Sequence, residues 1–256
     1  MIAGLSDRAL DRAIKAALGV FALLVIAFGL YYFFDRYYRP PQPSLLEQQV
    51  TRLEQAARED PGNLAARFAL GELYLERRQY KNAIDQLSQV LSLDERNDRV
   101  LADMGLAYMN LGDKAQAQDF FRKAVEIGAQ AEIPGLVRSL PVAHYWLGRM
   151  ALEQGDNEAA LDNLTKASRL NPIDADALVA LGQAYLAGGR TDDAVGVLTK
   201  AVAMVPNYAE GFLALAQAYE AKGDKEKAAS AYQEALDWDK GNREARAGLA
   251  RLTGRR

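Results

Sequence analysis

Few residues in this chain are of types that carry chemistry. His144 is the sole histidine among 256 residues, and cysteine is absent. Disulfides, thiolate metal sites and cysteine nucleophiles are therefore excluded, although the compartment is not identified. No paired-histidine or other metal-ligand spacing occurs, no glycine-rich phosphate loop appears, and the serines have no base to activate them. Carboxylates such as Asp156 and the Asp192-Asp193 pair stand at expected turns and helix starts, where they satisfy backbone amides and the helix dipole. His144 lies beside Tyr145 and Trp146 and reads as a packed, hydrogen-bonded side chain. The expectation is no enzyme, no metal and no cofactor. What the residue types do favour is binding: Tyr145, Trp146 and Arg149 fall within one stretch, and these types dominate the energetics of protein interfaces.

The elements that position those residues are set by a repeat. Leu70-Gly71…Tyr74 is answered by Met104-Gly105…Tyr108, Leu147-Gly148, Leu181-Gly182…Tyr185 and Leu215-Ala216…Tyr219, at steps of 34, 43, 34 and 34 residues. A period of this length marks a helix–turn–helix solenoid. Second helices carry matching small residues at Ala83, Ala117, Ala160, Ala194 and Ala228. Larger residues follow at Leu87, Phe121, Leu164, Leu198 and Tyr232, expected to fill the space between neighbouring units. Gly112-Asp113, Gly155-Asp156 and Gly223-Asp224 supply turns in which glycine takes left-handed backbone and aspartate caps the next helix. The first unit departs, with Arg77-Arg78-Gln79 at its turn.

On these residues the periodic part resembles the tetratricopeptide repeat family. Five units fit the pattern, at 64–97, 98–131, 141–174, 175–208 and 209–242. The resemblance implies an all-α, right-handed superhelical solenoid. A helix over 44–60, opened by Ser44 and Glu47 as a capping box, fits a capping half-repeat; a short coiled-coil stripe is the alternative. A polar helix over 243–256, with Arg246, Arg251, Arg255 and Arg256 outside, closes the array. The long step comes from an insertion at 132–140, containing Pro134-Gly135. Leu136, Val137 and Leu140 are too apolar for a wholly solvated loop, so it either packs on its own repeats or projects towards a partner.

In this family the first helices line a concave groove that takes peptides. Carried over by position, the groove candidates are Phe68, Glu72 and Leu75 in the first unit. Ala102, Asp103, Leu106 and Met109 follow in the second, and Tyr145, Trp146, Arg149 and Leu152 in the third. Val179, Gln183 and Leu186 come from the fourth, Leu213 and Gln217 from the fifth. Chaperone-binding members clamp a C-terminal carboxylate with lysine and asparagine at set positions. Here those positions hold Phe68, Glu72, Asp103, Val142 and Trp146, so that clamp is missing.

The N-terminus differs in kind. Residues 16–34 contain no charge and no proline, and roughly 19 helical residues span about 28 Å, close to a hydrocarbon core of about 30 Å. Tyr31, Tyr32, Tyr37 and Tyr38 cluster at the far end, as interfacial aromatics do. A cleaved signal peptide would have a shorter apolar run and a small-residue cleavage site. A single transmembrane helix is therefore expected after a tail at 1–15, followed by a proline-rich spacer at 35–43. Flanking positive charge barely discriminates orientation; the short tail favours a signal anchor with the repeats on the extracytoplasmic side. Net charge is −3 with mixed signs and no basic stripe, so nucleic acid is not an expected partner. The expected function is a membrane-anchored scaffold that binds a peptide segment or a partner subunit. The alternatives are a permanent structural subunit of a membrane complex, or a holdase-type chaperone near a translocation or cytochrome-maturation machinery.

Overall fold

The computed structural model describes residues 7–38 and 43–254, and side chains from Leu10 onward. The described residues hold thirteen α-helices and one short 3-10 turn, with no strand. The chain divides into a unit ending at Thr51 and a second beginning at Arg52.

In the first unit, α1 (Asp7–Tyr37) runs beyond both ends of the apolar stretch, taking in part of the tail and Asp35 to Tyr37. The segment Leu10–Tyr37 is long and apolar enough to cross a membrane. Its apolar side chains are exposed on every side, Leu23 and Phe28 among them. A helix that is apolar all round is suited to lipid rather than water. Phe33 packs on Tyr37 at 4.9 Å and Phe34 stacks on Tyr38 at 5.6 Å, gathering the aromatic cluster at one end. Arg39 to Gln42 of the expected spacer lie outside the described residues. The capping box forms at the start of α2 (Leu45–Glu59): the Ser44 amide donates to Glu47 Oε2 at 2.7 Å, and the Glu47 amide donates to Ser44 Oγ at 3.2 Å.

The second unit is a stack of helix hairpins. They are α3 (Leu64–Glu76) with α4 (Tyr80–Leu91), α5 (Asp98–Leu111) with α6 (Lys114–Gly128), and α7 (Ser139–Gln154) with α8 (Asn157–Leu170). Then come α9 (Ala175–Ala187) with α10 (Thr191–Met204), and α11 (Ala209–Lys222) with α12 (Lys225–Trp238), followed by α13 (Arg243–Thr253). Each first helix packs on its own second helix and on the second helix of the preceding hairpin. First helices also touch one another from hairpin to hairpin, which makes them the inner face of the stack.

Close approach within four of the five hairpins rests on glycine, and the fifth has Ala216 at the matching position. A Cβ on Gly71 would lie 2.5 Å from Leu87, one on Gly105 2.6 Å from Phe121, and one on Gly148 2.5 Å from Leu164; Gly182 meets Leu198 in the same way. Leu87, Phe121, Leu164 and Leu198 are fully buried. They thus fill the seam inside a hairpin as well as the space between units. Tyr232 instead covers Gly248 of α13, donating its hydroxyl to Glu220 at 2.5 Å. Arg251 reaches the same carboxylate at 3.1 Å, fastening the last helix.

The turns follow the sequence chemistry. Gly112, Gly155 and Gly223 have φ of 85°, 76° and 86°, and Asp113, Asp156 and Asp224 each accept an amide of the next helix. The first turn, lacking glycine, places Arg78 at φ 57°. A side-chain-bearing residue is strained there.

The 132–140 segment divides. Ile133 and Leu136 are 58% and 76% exposed, while Leu140 is buried and sets its Cδ2 against Gly128 together with Val137. The insertion is anchored by one end, and its last two residues open α7. In α13, Ala245 is buried and Leu249 and Leu252 pack on the core, with Arg246 and Arg251 outside, as expected. Arg255 and Arg256 lie outside the described residues.

Candidate partner groove

The inner face carries most of the candidate residues, but not all of them are open to a partner. Ala102 and Val179 are 3% and 2% exposed and belong to the core. Their position on a first helix is right, but that helix is covered on two sides, and these residues sit on the covered arc. The other candidates are half-buried: Phe68, Glu72, Leu75, Asp103, Leu106, Met109, Tyr145, Trp146, Arg149, Leu152, Gln183, Leu186, Leu213 and Gln217. That state leaves one side packed and one side available.

Three neighbourhoods emerge along this face. At the α3–α5 junction, Arg99 lies over the Phe68 ring at 4.7 Å and pairs with Glu72. One helical turn further, Asp103 enters a small cavity of about 200 Å³ that it shares with Glu72, Arg99, Leu106, Arg138 and Ser139. Ser139 donates its hydroxyl to Asp98, joining the start of α7 to α5. Burial, reinforced by the Glu72 charge and opposed by Arg99, pushes the Asp103 carboxyl up to about 7.

The middle neighbourhood is aromatic. Tyr145 and Trp146 meet edge-on at 5.3 Å, and Trp146 stacks on Phe121 at 6.4 Å. Arg149 donates to the Tyr145 hydroxyl at 3.0 Å, with its guanidinium 5.8 Å from that ring. Burial raises the Tyr145 hydroxyl above its ordinary value, and Arg149 opposes this. The sequence thus places a cation and two aromatics on one turn of α7, and the fold holds them in mutual contact. Sequence reasoning missed Tyr208, which stands just ahead of α11 and donates its hydroxyl to Asp176 at the start of the preceding hairpin. Burial comes first among the causes that raise it, with the Asp176 carboxylate next. A signal was present: Tyr208 occupies the N-cap position that Asn63, Asn97 and Asp174 fill elsewhere.

At the C-terminal end, Gln183, Leu213 and Gln217 face a cavity of about 870 Å³ closed by Asn242 and Glu244 of the last helix. The face is wide there, which suits an extended segment rather than a small molecule.

His144 lies behind the groove. It is 8% exposed, and its Nδ1 pairs with Asn163 Oδ1 at 2.9 Å. The Asn163 amide donates to Ala159 O, so its oxygen accepts and His144 Nδ1 donates. Burial lowers the imidazole pKa below its usual value, which favours the neutral ring, and the Asn163 hydrogen bond opposes this. This is the packed, hydrogen-bonded role expected of it. Among the described residues, no group of three or more His, Asp or Glu side chains is gathered for a metal ion.

Comparison with known proteins agrees with the geometry. Tetratricopeptide repeat models match residues 145–209, 179–247 and 74–140, and a model described as YpiA-like tetratricopeptide repeats matches 42–95. Bacteriophage adsorption protein A of Escherichia coli (strain K12) is 26% identical over 167 residues, 65% of this chain and 16% of that protein. Photosystem I assembly protein Ycf3 of Synechococcus sp. (strain CC9605) is 30% identical over 103 residues, 36% of this chain and 58% of that one. The chain therefore spans only part of the length of either relative. Among solved structures, YrrB, described as a repeat protein with an unusual peptide-binding site, superposes with a TM-score of 0.61 at 21% identity, covering 76% of this chain and 96% of YrrB. PilW, a type IV pilus biogenesis factor, gives 0.64 at 20% identity, covering 80% and 90%. At that identity the structural likeness shows the fold. With family models matching along most of its length and four of its five hairpins closed by a glycine against a large side chain, this chain belongs to the tetratricopeptide repeat family, whose members are protein-interaction scaffolds.

Proposed function

We propose that this protein is a membrane-tethered scaffold that holds an extended segment of a protein partner along its inner face. The observation that carries the reading is the Tyr145–Trp146–Arg149 cluster at the middle of that face, half-buried and preassembled. Tyrosine, tryptophan and arginine supply large contact area at small conformational cost, and rigid anchors of this kind dominate interfaces. The exposed apolar helix α1 supports the tether, because a membrane anchor confines the scaffold and raises the local concentration of membrane-bound partners. Assistance to the assembly of a membrane complex is consistent with the names of two similar proteins, a photosystem I assembly protein and a pilus biogenesis factor.

The test is capture of partners by the full-length protein from native membranes in mild detergent, after crosslinking. Trp146→Ala and Arg149→Gln should each lower recovery of a specific partner by about tenfold or more, in line with hot-spot losses of about 2 kcal/mol, while helicity is retained. Undiminished recovery with both variants refutes the groove. Release of the full-length protein from membranes by an alkaline wash refutes the tether.

A further inference from the structure

The cavity at the junction of α3, α5 and the start of α7 contains a mismatch that the scaffold reading does not use. Asp103 Oδ2 is closed off from water and has no hydrogen-bond partner among the described residues. A buried acceptor left unmade costs free energy, and more so when it is charged. The other charged groups facing the cavity are Glu72 from α3, Arg99 from α5 and Arg138 just ahead of α7. Arg99 is already committed to Glu72 and to the Phe68 ring. Arg138 is exposed, so water satisfies it. The unmet demand is therefore for a donor at Asp103. The rest of the wall is Ala102, Leu106 and Val142, with Ser139, whose hydroxyl is already committed to Asp98. Alkyl walls with a carboxylate at the end match a side chain with a hydrocarbon stem and a cationic head. A carboxylate rotates broadly about its terminal torsion, so either oxygen can be presented to such a head.

We propose that this cavity is a specificity pocket for a single lysine or arginine side chain of the bound partner, with the stem against Leu106 and Val142 and the head on Asp103. The proposal rests on the scaffold reading for the source of that side chain. It differs from the carboxylate-clamping mode of the chaperone-binding members in the sign of the charge it seeks. The volume, about 200 Å³, admits one side chain and no folded element. The insertion acquires a role, because Arg138 and Ser139 at its end wall the pocket.

The experiment uses the full chain in detergent micelles, with methyl NMR resonances of Leu106 and Val142 as reporters. n-Butylguanidinium and n-butylammonium are the probes, and butyrate, sodium chloride and magnesium chloride the controls. Binding of this kind requires no partner, so its failure leaves the scaffold reading standing, and failure of partner capture leaves this result standing. Saturable shifts are expected with at least one alkyl cation and not with the controls. The affinity should rise about tenfold from pH 6 to pH 8, because a carboxyl titrating near 7 is about a tenth ionised at the first pH and nine-tenths at the second. Asp103→Asn should weaken binding at least tenfold and flatten the pH dependence, whereas Lys200→Gln, on the exposed side of α10 and away from the cavity, should keep both. Absence of saturable shifts, equal shifts with butyrate or with inorganic cations, or unchanged binding in Asp103→Asn would each overturn the proposal.

Discussion

Substitution of Gly148 by alanine isolates the contact that closes four of the five hairpins of the stack. The new methyl would lie 2.5 Å from Leu164 Cγ, 3.0 Å from its Cδ2 and 3.2 Å from its backbone nitrogen. Carbon atoms prefer about 3.5–4.0 Å, so the deficit is on the order of 1 Å. Rotation of the leucine cannot relieve it fully, since the backbone nitrogen is also close. Overpacking of this kind costs about 1–3 kcal/mol. Alanine returns about 1 kcal/mol of helix propensity, leaving a net loss of roughly 0–2 kcal/mol by these two terms, towards the upper end because the backbone nitrogen is also crowded. Leu164→Ala alone should cost about 2–5 kcal/mol, because Leu164 is fully buried. In that background the Gly148 methyl enters vacated space, and the same substitution should now stabilise by up to about 1 kcal/mol. The sign reversal is the diagnostic. It is read from urea unfolding of the full chain in micelles by far-ultraviolet circular dichroism, comparing midpoints at matched slopes. If Gly148→Ala has the same effect in both backgrounds, within about 0.5 kcal/mol, the close-approach argument is wrong. Gly71→Ala is the milder counterpart, because its methyl meets only side-chain atoms of Leu87.

Three further outcomes are expected. Because folding raises the Asp103 carboxyl from 3.8 to about 7, the folded state holds that proton more tightly, and stability falls as pH rises from about 4 through 7. Asp103→Asn removes the penalty, so its advantage over wild type should be near zero at pH 4 and grow to at most about 4 kcal/mol by pH 8; parallel pH–stability curves would contradict this. Arg78→Gly releases a left-handed strain of about 1–2 kcal/mol but adds unfolded-chain entropy, so a gain of up to about 1 kcal/mol is expected. The converse, Gly155→Ala at φ 76°, should lose about 1 kcal/mol, and thermal melts of both variants decide it. Tyr232→Phe keeps the ring over Gly248 but loses the hydroxyl bond to Glu220. About 1 kcal/mol of stability should go, together with faster amide exchange in α13; unchanged exchange would show that Arg251 alone holds that helix.

The repeat made the hairpins legible because its signals are local. Gly-Asp turns, small residues at fixed spacing and the Ser44–Glu47 box each act within a few residues. The groove was less legible. Register assigns a residue to a first helix, but exposure depends on which arc of that helix its neighbours cover. Val179 and Leu213 come from corresponding helices, yet the first is core and the second faces the C-terminal cavity.

Sequence alone determined the all-helical class, the hairpin period and the presence of one apolar segment of membrane length, since all three follow from spacing and composition along the chain. Tertiary structure decided which half-buried residues converge. Arg99 joined Glu72 and Phe68, the end of the insertion closed a cavity over Asp103, and Tyr208 reached Asp176 of the preceding hairpin. Those pairings depend on how adjacent hairpins are rotated against one another. That rotation is set by side-chain volumes in the seams between hairpins, and a one-dimensional period does not specify it.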